Sequence, residues 1–167
     1  MSPSELERYL QQHIPLSAAM QVSVLEIQPD RVVLSAPLKP NINHRETVFG
    51  GSAAALAVLA AWSLVHTRLL RAGLPSRLVI QRNCMSFELP ITGTFTASSR
   101  LAPTANWEQF LRILDRKRVA RIAACCDLLF EGRTAGRFEG EFVALGPDNR
   151  VHSQRDGATS ERAPDSR

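Results

Sequence analysis

The sequence predicts an α+β fold in which a curved antiparallel sheet wraps around one long buried helix, with a short helix at the N-terminus. Residues 50 to about 72 are apolar on every side for three turns, so a helix there must be covered all round. Strand-like segments follow it with short links between them, which indicates antiparallel neighbours. Ser2, Pro3 and Glu5 form a capping box with proline at the first helical position, so a short amphipathic helix opens the chain.

The remaining elements follow from turn signals and apolar runs. Before the long helix we expect, in order, a first helix that ends at Pro15, a second short helix or turn over 16–20, and strands 22–27 and 32–36 joined by a turn at Pro29-Asp30. Gly73 and Pro75 end the long helix. The later strands are predicted at 78–89, 94–101, 108–115, 119–131 and 134–145.

The composition is that of a folded domain, with 44% hydrophobic and 22% charged residues. A length of 167 residues suits one domain, which we expect to span residues 1–146. Residues 147–167 contain four arginines and four acidic residues but almost no apolar side chains. A disordered C-terminal tail is therefore expected there.

Charge and cysteine patterns argue against several classes of function. The 20 basic and 16 acidic residues give a charge of +4, which favours a small anionic ligand over nucleic acid. Cys84, Cys125 and Cys126 lack metal-ligand spacing, so we expect reduced core cysteines and no metal or other cofactor. No secretory leader is recognisable, and the longest apolar run is shorter than the roughly 18 residues that span a bilayer. We therefore expect a cytoplasmic protein with no membrane or nucleic-acid partner.

The informative stretch is residues 41–52, a polar loop that runs directly into the buried helix. The first N–H groups of a helix lack internal partners, so Gly50 and Gly51 would let a carbonyl oxygen or oxyanion approach the backbone closely. Just upstream, Asn43 offers an amide and His44 an imidazole that titrates near neutrality. These groups form a candidate site for acyl chemistry. The alternative is that the glycines only permit tight packing, Asn43 caps a turn and His44 is a satisfied loop residue.

Several segments together resemble one known family. They are 43–52, the small-residue helix with Trp62, 79–81, 90–95 and 138–144. On these segments the chain resembles the hotdog-fold thioesterases, most closely the thioesterase domains at the C-terminus of YiiD acetyltransferases (the YiiD_C family), over roughly residues 5–146. The resemblance implies hydrolysis of acyl-CoA or acyl carrier protein thioesters without a cofactor. It also implies a homodimer, or a dimer of dimers, whose sheets join edge to edge with the sites at the interface.

The resemblance also implies roles for individual residues. In related phenylacetyl-CoA-type thioesterases an asparagine stands seven residues before the first glycine, as Asn43 does before Gly50. There a helix N–H, which we place at Gly51, polarises the thioester carbonyl. Those enzymes also carry a helix carboxylate that activates water, but the corresponding residue here is Val58, and residues 50–72 contain no Asp or Glu. The base must therefore come from elsewhere or be absent.

His44 and Glu46 are the candidate bases, although Glu46 stands where we would expect a glycine with positive φ. The predicted catalytic residues are Asn43, His44, Glu46 and Gly51, and the predicted substrate-binding residues are Thr47, Phe49, Gly50, Ser52, Gln81 and Asn83. Gln81 and Asn83 would act across the dimer interface. Two alternatives stay open: a non-catalytic acyl-thioester-binding module, and an enoyl-CoA hydratase or dehydratase on the same fold.

Overall fold

A computed structural model describes residues 1–146 and has the predicted α+β architecture. Its elements are α1 (Pro3–His13), α2 (Pro15–Ala19), β1 (Ser23–Ile27), β2 (Val32–Ala36), a 3-10 turn (Lys39–Asn41), α3 (Gly50–Arg71), β3 (Arg77–Phe87), β4 (Phe95–Leu101), α4 (Trp107–Lys117), β5 (Val119–Phe130) and β6 (Arg133–Leu145). Six antiparallel strands form one sheet in the order β1-β2-β4-β5-β6-β3. The tail predicted at 147–167 lies outside the described residues.

The central helix α3 packs against five strands, from β2 to β6. Leu56 and Leu64 of α3 are fully buried, and the sheet contributes Phe95, Phe138 and Phe142 to the same core. Burying one such side chain stabilises the fold by about 1.5–3 kcal/mol. This helix is long and apolar enough to cross a membrane, but 67% of its apolar 18-residue window is buried inside the fold. It is packed as a core helix.

One stripe of α3 is incompletely covered, which differs from the predicted all-round burial. Ala55, Val58, Trp62 and His66 are partly exposed, and Gly51 at the start of the helix is exposed. Their spacing of three or four residues places them on one face of the helix. This stripe therefore remains accessible along α3 within a single chain.

The uncovered stripe lies between β3 and α1. The Trp62 indole N–H donates to the Leu78 carbonyl of β3 at 3.0 Å. From the other side, Tyr9 of α1 stacks on Trp62 and on His66, with ring centroids 6.2 and 5.1 Å apart. Helix α1 thus covers the C-terminal half of the stripe and leaves the half near Gly51 open.

Strand β3 does not pair with β4, although the short link between them predicted that it would. It pairs instead with β6 at the edge of the sheet. The link crosses the start of α3, where Ile91 is buried and its carbonyl accepts the Val48 N–H at 2.8 Å. Because the chain passes over the start of the helix before it re-enters the sheet, β5 and β6 lie between the two strands.

The strand predicted at 108–115 is wrong, because this segment is helix α4. The Asn106 side chain caps it by accepting the Gln109 N–H at 2.9 Å. Phe110 and Leu114, four residues apart, are its buried contacts with the core. Arg118 ends the helix in the left-handed region with φ of 60°. The helical spacing was present in the sequence but was read as strand.

The cysteines are only partly the core residues that were expected. Cys126 is buried, and the burial raises the pKa of its thiol, whereas Cys125 is half-buried on the opposite face of β5. This opposition follows from the alternation of side chains along a strand. Cys84 is exposed on the edge strand β3, so its placement in the core was wrong.

His66 is half-buried, and its Nε2 atom is buried without a hydrogen-bond partner among the described residues. Its ring stacks on Trp62, with centroids 4.4 Å apart, and on Tyr9. Burial in this aromatic stack lowers the pKa of His66, because the charged imidazolium loses its hydration there. The fold therefore favours the neutral ring.

We predict that the stability of the protein falls as the pH drops below the ordinary His66 pKa. When folding lowers the pKa of a group, its contribution to the free energy of unfolding is complete above the pKa of the unfolded chain, about 6.5 for histidine. That contribution is lost as the pH falls from there towards the pKa of the folded protein. Thermal melts between pH 8 and pH 5 should show this decline, and His66→Phe, which keeps the stacking ring, should reduce it. His44→Gln, which removes an exposed histidine, is the control; equal slopes for His66→Phe and wild type would contradict the assignment.

Candidate active site at the start of the central helix

The loop before α3 is held in place by two asparagines. Asn41 is buried, and its Nδ2 donates to the Met20 carbonyl at 3.0 Å and the Pro37 carbonyl at 2.8 Å. The backbone carbonyl of Asn41 accepts the Phe49 N–H at 2.7 Å, so Asn41 fixes the residue immediately before the helix. The sequence does not single out Asn41, since only its position at the end of a 3-10 turn distinguishes it from other loop asparagines.

Asn43 organises the turn between the two ends of this loop. Its Oδ1 accepts the Arg45 N–H at 2.7 Å, while its Nδ2 donates to Thr47 Oγ1 at 3.0 Å and approaches the Val48 carbonyl at 3.4 Å. The Asn43 amide is thus engaged inside the loop, as is the Thr47 hydroxyl. Both predicted site residues act on the backbone geometry that leads into α3.

The first turn of α3 begins at Phe49 and has no side-chain cap. Gly50, Gly51 and Ser52 are its first three residues, whose N–H groups have no acceptor within the helix itself. They carry the positive end of the helix dipole, which attracts a carbonyl oxygen that gains negative charge. Backbone N–H groups without a helical partner therefore lie at the exposed residue Gly51 and its neighbours.

Two exposed aromatic rings flank the glycine pair. Phe49 is 57% exposed and Phe87, at the end of β3, is 60% exposed. A Cβ atom on Gly51 would lie 2.3 Å from Phe49 Cε1, so glycine is needed for the ring to sit there. A Cβ atom on Gly50 would lie 3.4 Å from Phe87 Cζ, which is a close but acceptable contact. Any larger side chain at 51 must push the Phe49 ring away.

An apolar cavity of about 400 Å³ opens beside Gly50. Its lining residues are Val48, Gly50, Ala53, Phe87, Glu88, Leu89, Pro90, Ile91 and Ala135. Cavities of this size and character hold small molecules or parts of them. The start of α3 is therefore reached through a cleft that can accommodate an apolar chain.

The two candidate bases are exposed on the loop. His44 and Glu46 make no hydrogen bond or ion pair with the described side chains. Glu46 has φ of 61°, the conformation in which glycine was expected. This strained backbone costs a residue with a side chain about 1–2 kcal/mol. Val58, where related enzymes carry a carboxylate, lies in the partly exposed stripe of α3.

Gln81 and Asn83 are not brought to the glycine pair within one chain. A β-bulge lies between Ile80 and Arg82, and Gln81 Oε1 accepts the Arg121 Nε–H at 2.9 Å on the outer face of the sheet. Asn83 pairs in register with Gly140 and precedes Phe87 by four residues, which is about 13 Å along the strand. Among residues 1–146, no cluster of three or more His, Cys, Asp or Glu side chains could hold a metal ion.

Comparison with known proteins places the chain in a family. The family model described as "Putative thioesterase (yiiD_Cterm)", YiiD_C, matches residues 3–146. A structure of the "putative thioesterase" from Shewanella oneidensis is 26% identical, with a TM-score of 0.78 over 86% of this chain and 96% of that one. A Chlorobaculum tepidum protein of unknown function is also 26% identical, with a TM-score of 0.80 over 86% and 93%.

A more distant relative shares the fold alone. The thioesterase HI1161 from Haemophilus influenzae is 10% identical, with a TM-score of 0.71 over 91% of this chain and 96% of that chain. The expected wrapping of a curved sheet around one helix is therefore confirmed as the hotdog fold. The chain belongs to the YiiD_C family of hotdog-fold thioesterases.

Proposed function

We propose that the protein hydrolyses acyl thioesters of coenzyme A or of a carrier protein at the start of α3. The observation that carries this proposal is the uncapped first turn at Gly50 and Gly51, which opens on the apolar cavity of about 400 Å³. Fixed backbone donors stabilise the negative charge that grows on a carbonyl oxygen as water adds to its carbon. The cavity beside Gly50 would receive the acyl chain.

Hydrolysis then needs a group outside α3 to take the proton from water. Water attacks the carbonyl carbon, the carbon–sulfur bond breaks, and the sulfur leaves as a thiolate that gains a proton. Helix α3 has no Asp or Glu, and Glu88, the one carboxylate that lines the cavity, is paired with Arg137. We therefore look for the base on the loop or on the partner subunit. We assign this role to His44 ahead of Glu46, because an imidazole exchanges protons readily near neutral pH.

We further propose that two copies join through β3 to complete the site. Strand β3 is an eleven-residue edge strand whose outer edge has no strand partner within residues 1–146. Such a long edge is a site of association unless it is covered, and Val79 and Phe87 add exposed apolar surface to it. A two-fold axis between antiparallel β3 strands would also cover the open stripe of α3 and bring Asn83 towards the partner.

The purified protein is expected to release free coenzyme A from at least one member of a panel of acyl-CoAs of increasing chain length. Release is followed with a thiol reagent, against a boiled sample. Binding of acyl-CoA without turnover would favour the non-catalytic binding module, and loss of enoyl-CoA absorbance would favour a hydratase. No release at any chain length contradicts the proposed activity.

The same assay applied to Gly51→Val tests the backbone site. The added side chain collides with the Phe49 ring and obstructs the first-turn amides, so we expect kcat to fall by about 100-fold, the usual cost of one lost oxyanion donor. Ala54→Val places the same final side chain three residues further along α3 and should retain most of the activity. Equal activities of the two variants would remove the first turn from the mechanism.

Replacing Glu46 with glycine is expected to stabilise the protein by about 0.5–1 kcal/mol, because glycine adopts positive φ without a steric penalty. Chemical denaturation measures the change, with Arg45→Gly as the matched control, which should not stabilise. If His44 is the base, Glu46→Gly keeps its turnover number. A tenfold loss of turnover would instead identify Glu46 as the base.

Sedimentation should give a dimer of twice the 18.4 kDa chain mass. Val79→Asp combined with Ser86→Asp would place four extra carboxylates in the shared β3 seam, where like charges repel, and should produce monomers. Ser23→Asp combined with Leu25→Asp, on the opposite edge strand β1, is the control and should leave the dimer intact. Dissociation by the β1 pair alone would show that the other edge is the interface.

A further inference from the structure

Five cations gather at one end of the sheet, and we call them the basic corner. They are Arg77, Arg112, Arg116, Lys117 and Arg118. Four of them belong to α4 or to the residue that ends it, and Arg77 begins β3. The start of β3 and the end of α4 are connected through the sheet. Arg77 pairs with Leu145 of β6, and Leu145 pairs with Val119, the first residue of β5 after α4. Two strand spacings, about 10 Å, therefore separate the start of β3 from the end of α4.

The charges of the basic corner are not neutralised by the described part of the chain. No carboxylate oxygen of residues 1–146 lies within 4.0 Å of these five cations, whereas Arg31, Arg82, Arg100 and Arg137 are each paired with an acidic side chain. Within 112–118 the single acidic residue is Asp115. The corner consequently presents a concentrated positive field to solvent.

A groove of about 470 Å³ lies on the exposed face of α4 within this corner. It is lined by Gln109, Arg112, Ile113, Asp115, Arg116 and Lys117. Three cations thus share the groove with one apolar side chain, Ile113, one amide, Gln109, and one carboxylate, Asp115. Guanidinium groups bind phosphates through paired N–H donors and also stack on flat rings, so this lining suits a phosphorylated nucleotide.

The basic corner is remote from the glycine pair of its own chain. Trp107, at the start of α4, lies over the Arg68 guanidinium at 4.4 Å, and Arg68 is close to the end of α3. Phe87, by contrast, contacts Gly50 at the beginning of α3. The two features therefore lie at opposite ends of β3.

The dimer proposed above brings the corner of one chain to the site of the other. When two β3 strands pair antiparallel, Arg77 at the start of one lies beside Phe87 at the end of its partner. The two-fold axis is then perpendicular to the joined sheet, so α3 and α4 of both chains stay on the same face. Each basic corner consequently lies next to the partner's helix start.

We propose that the basic corner binds the phosphorylated adenosine of a coenzyme A thioester whose carbonyl lies at Gly50 and Gly51 of the partner subunit. This rests on the proposed function and narrows it, because a carrier-protein thioester has the pantetheine arm but not the nucleotide. The arm spans the space between the two chains. The diphosphate and the 3′-phosphate contact the cations, and the adenine lies over Ile113.

A triple variant, Arg112→Gln, Arg116→Gln and Lys117→Gln, tests the assignment with helix-compatible residues. We expect it to raise KM for an acyl-CoA by about tenfold or more, with kcat within twofold, because charge-assisted phosphate bonds are lost. KM for the same acyl group on N-acetylcysteamine, which has no phosphates, should not change. The control removes three cations elsewhere: Arg8→Gln, Arg31→Gln and Arg100→Gln.

Titration with free coenzyme A separates this proposal from the catalytic one. Wild type should bind coenzyme A in a salt-sensitive manner, and the triple variant should bind it at least about tenfold more weakly, whether or not the protein hydrolyses thioesters. Equal binding by both proteins, or none by wild type, overturns the proposal. An effect of the triple variant on acyl carrier protein turnover but not on acyl-CoA turnover also overturns it, in favour of a docking surface for an acidic protein.

Mixed dimers test whether the corner acts on the partner. Two differently tagged chains are co-expressed, one with the triple substitution and an intact Gly51, the other with Gly51→Val and an intact basic corner. If the corner serves the partner's site, the one working glycine pair faces an intact corner and KM for acyl-CoA equals that of wild type. A KM as high as that of the triple-variant homodimer shows action within one chain and refutes the arrangement.

Discussion

The burial of α3 is the constraint on which the rest of the structure depends. A 22-residue helix with apolar side chains on every face needs more cover than one flat sheet can give. The sheet satisfies this need by curving, so that strands β2 to β6 all contact the helix, and α1 covers part of what remains. The cover is still incomplete along the stripe through Val58. This face of the helix is therefore accessible in a single chain, and the dimer proposed above would bury it.

The same constraint shapes the chemistry at the start of α3. A helix enclosed by apolar strands has little room for carboxylates, and this one has none, so the polar groups must come from its exposed end and from the loop. The side-chain amides of Asn41 and Asn43 form hydrogen bonds that fix that loop. The donors that remain available to a substrate are therefore backbone N–H groups. A site made of backbone donors depends on the position of the loop more than on the identity of any one side chain.

The sequence correctly predicted the structural elements that have a local sequence pattern. The capping box, the β1–β2 hairpin, the long helix and its glycine stop are local patterns, and each is present as expected. The order of β3 in the sheet depends on a link that crosses α3, which no local pattern encodes. Helix α4 was predicted as a strand although Phe110 and Leu114 have helical spacing, because Trp107, Phe110 and Ile113 are residue types that favour strands. Within the site, the loop and glycine pair were predictable, whereas the buried role of Asn41 and the outward turn of Gln81 arise only from tertiary contacts.

The edge position of β3 links these findings. Because β3 follows a crossover and pairs on one side only, it stays available along its whole length, with the glycine pair near one end and the basic corner near the other. A single chain cannot bring those two ends together, since an eleven-residue strand keeps them roughly 33 Å apart. Antiparallel pairing of two such strands removes the separation without moving any element, because the end of one strand then meets the start of the other. A substrate with a reactive acyl group at one end and phosphates at the other could then contact the glycine pair of one chain and the basic corner of its partner. The edge of the sheet, and not the helix alone, would therefore determine the substrate specificity of the enzyme.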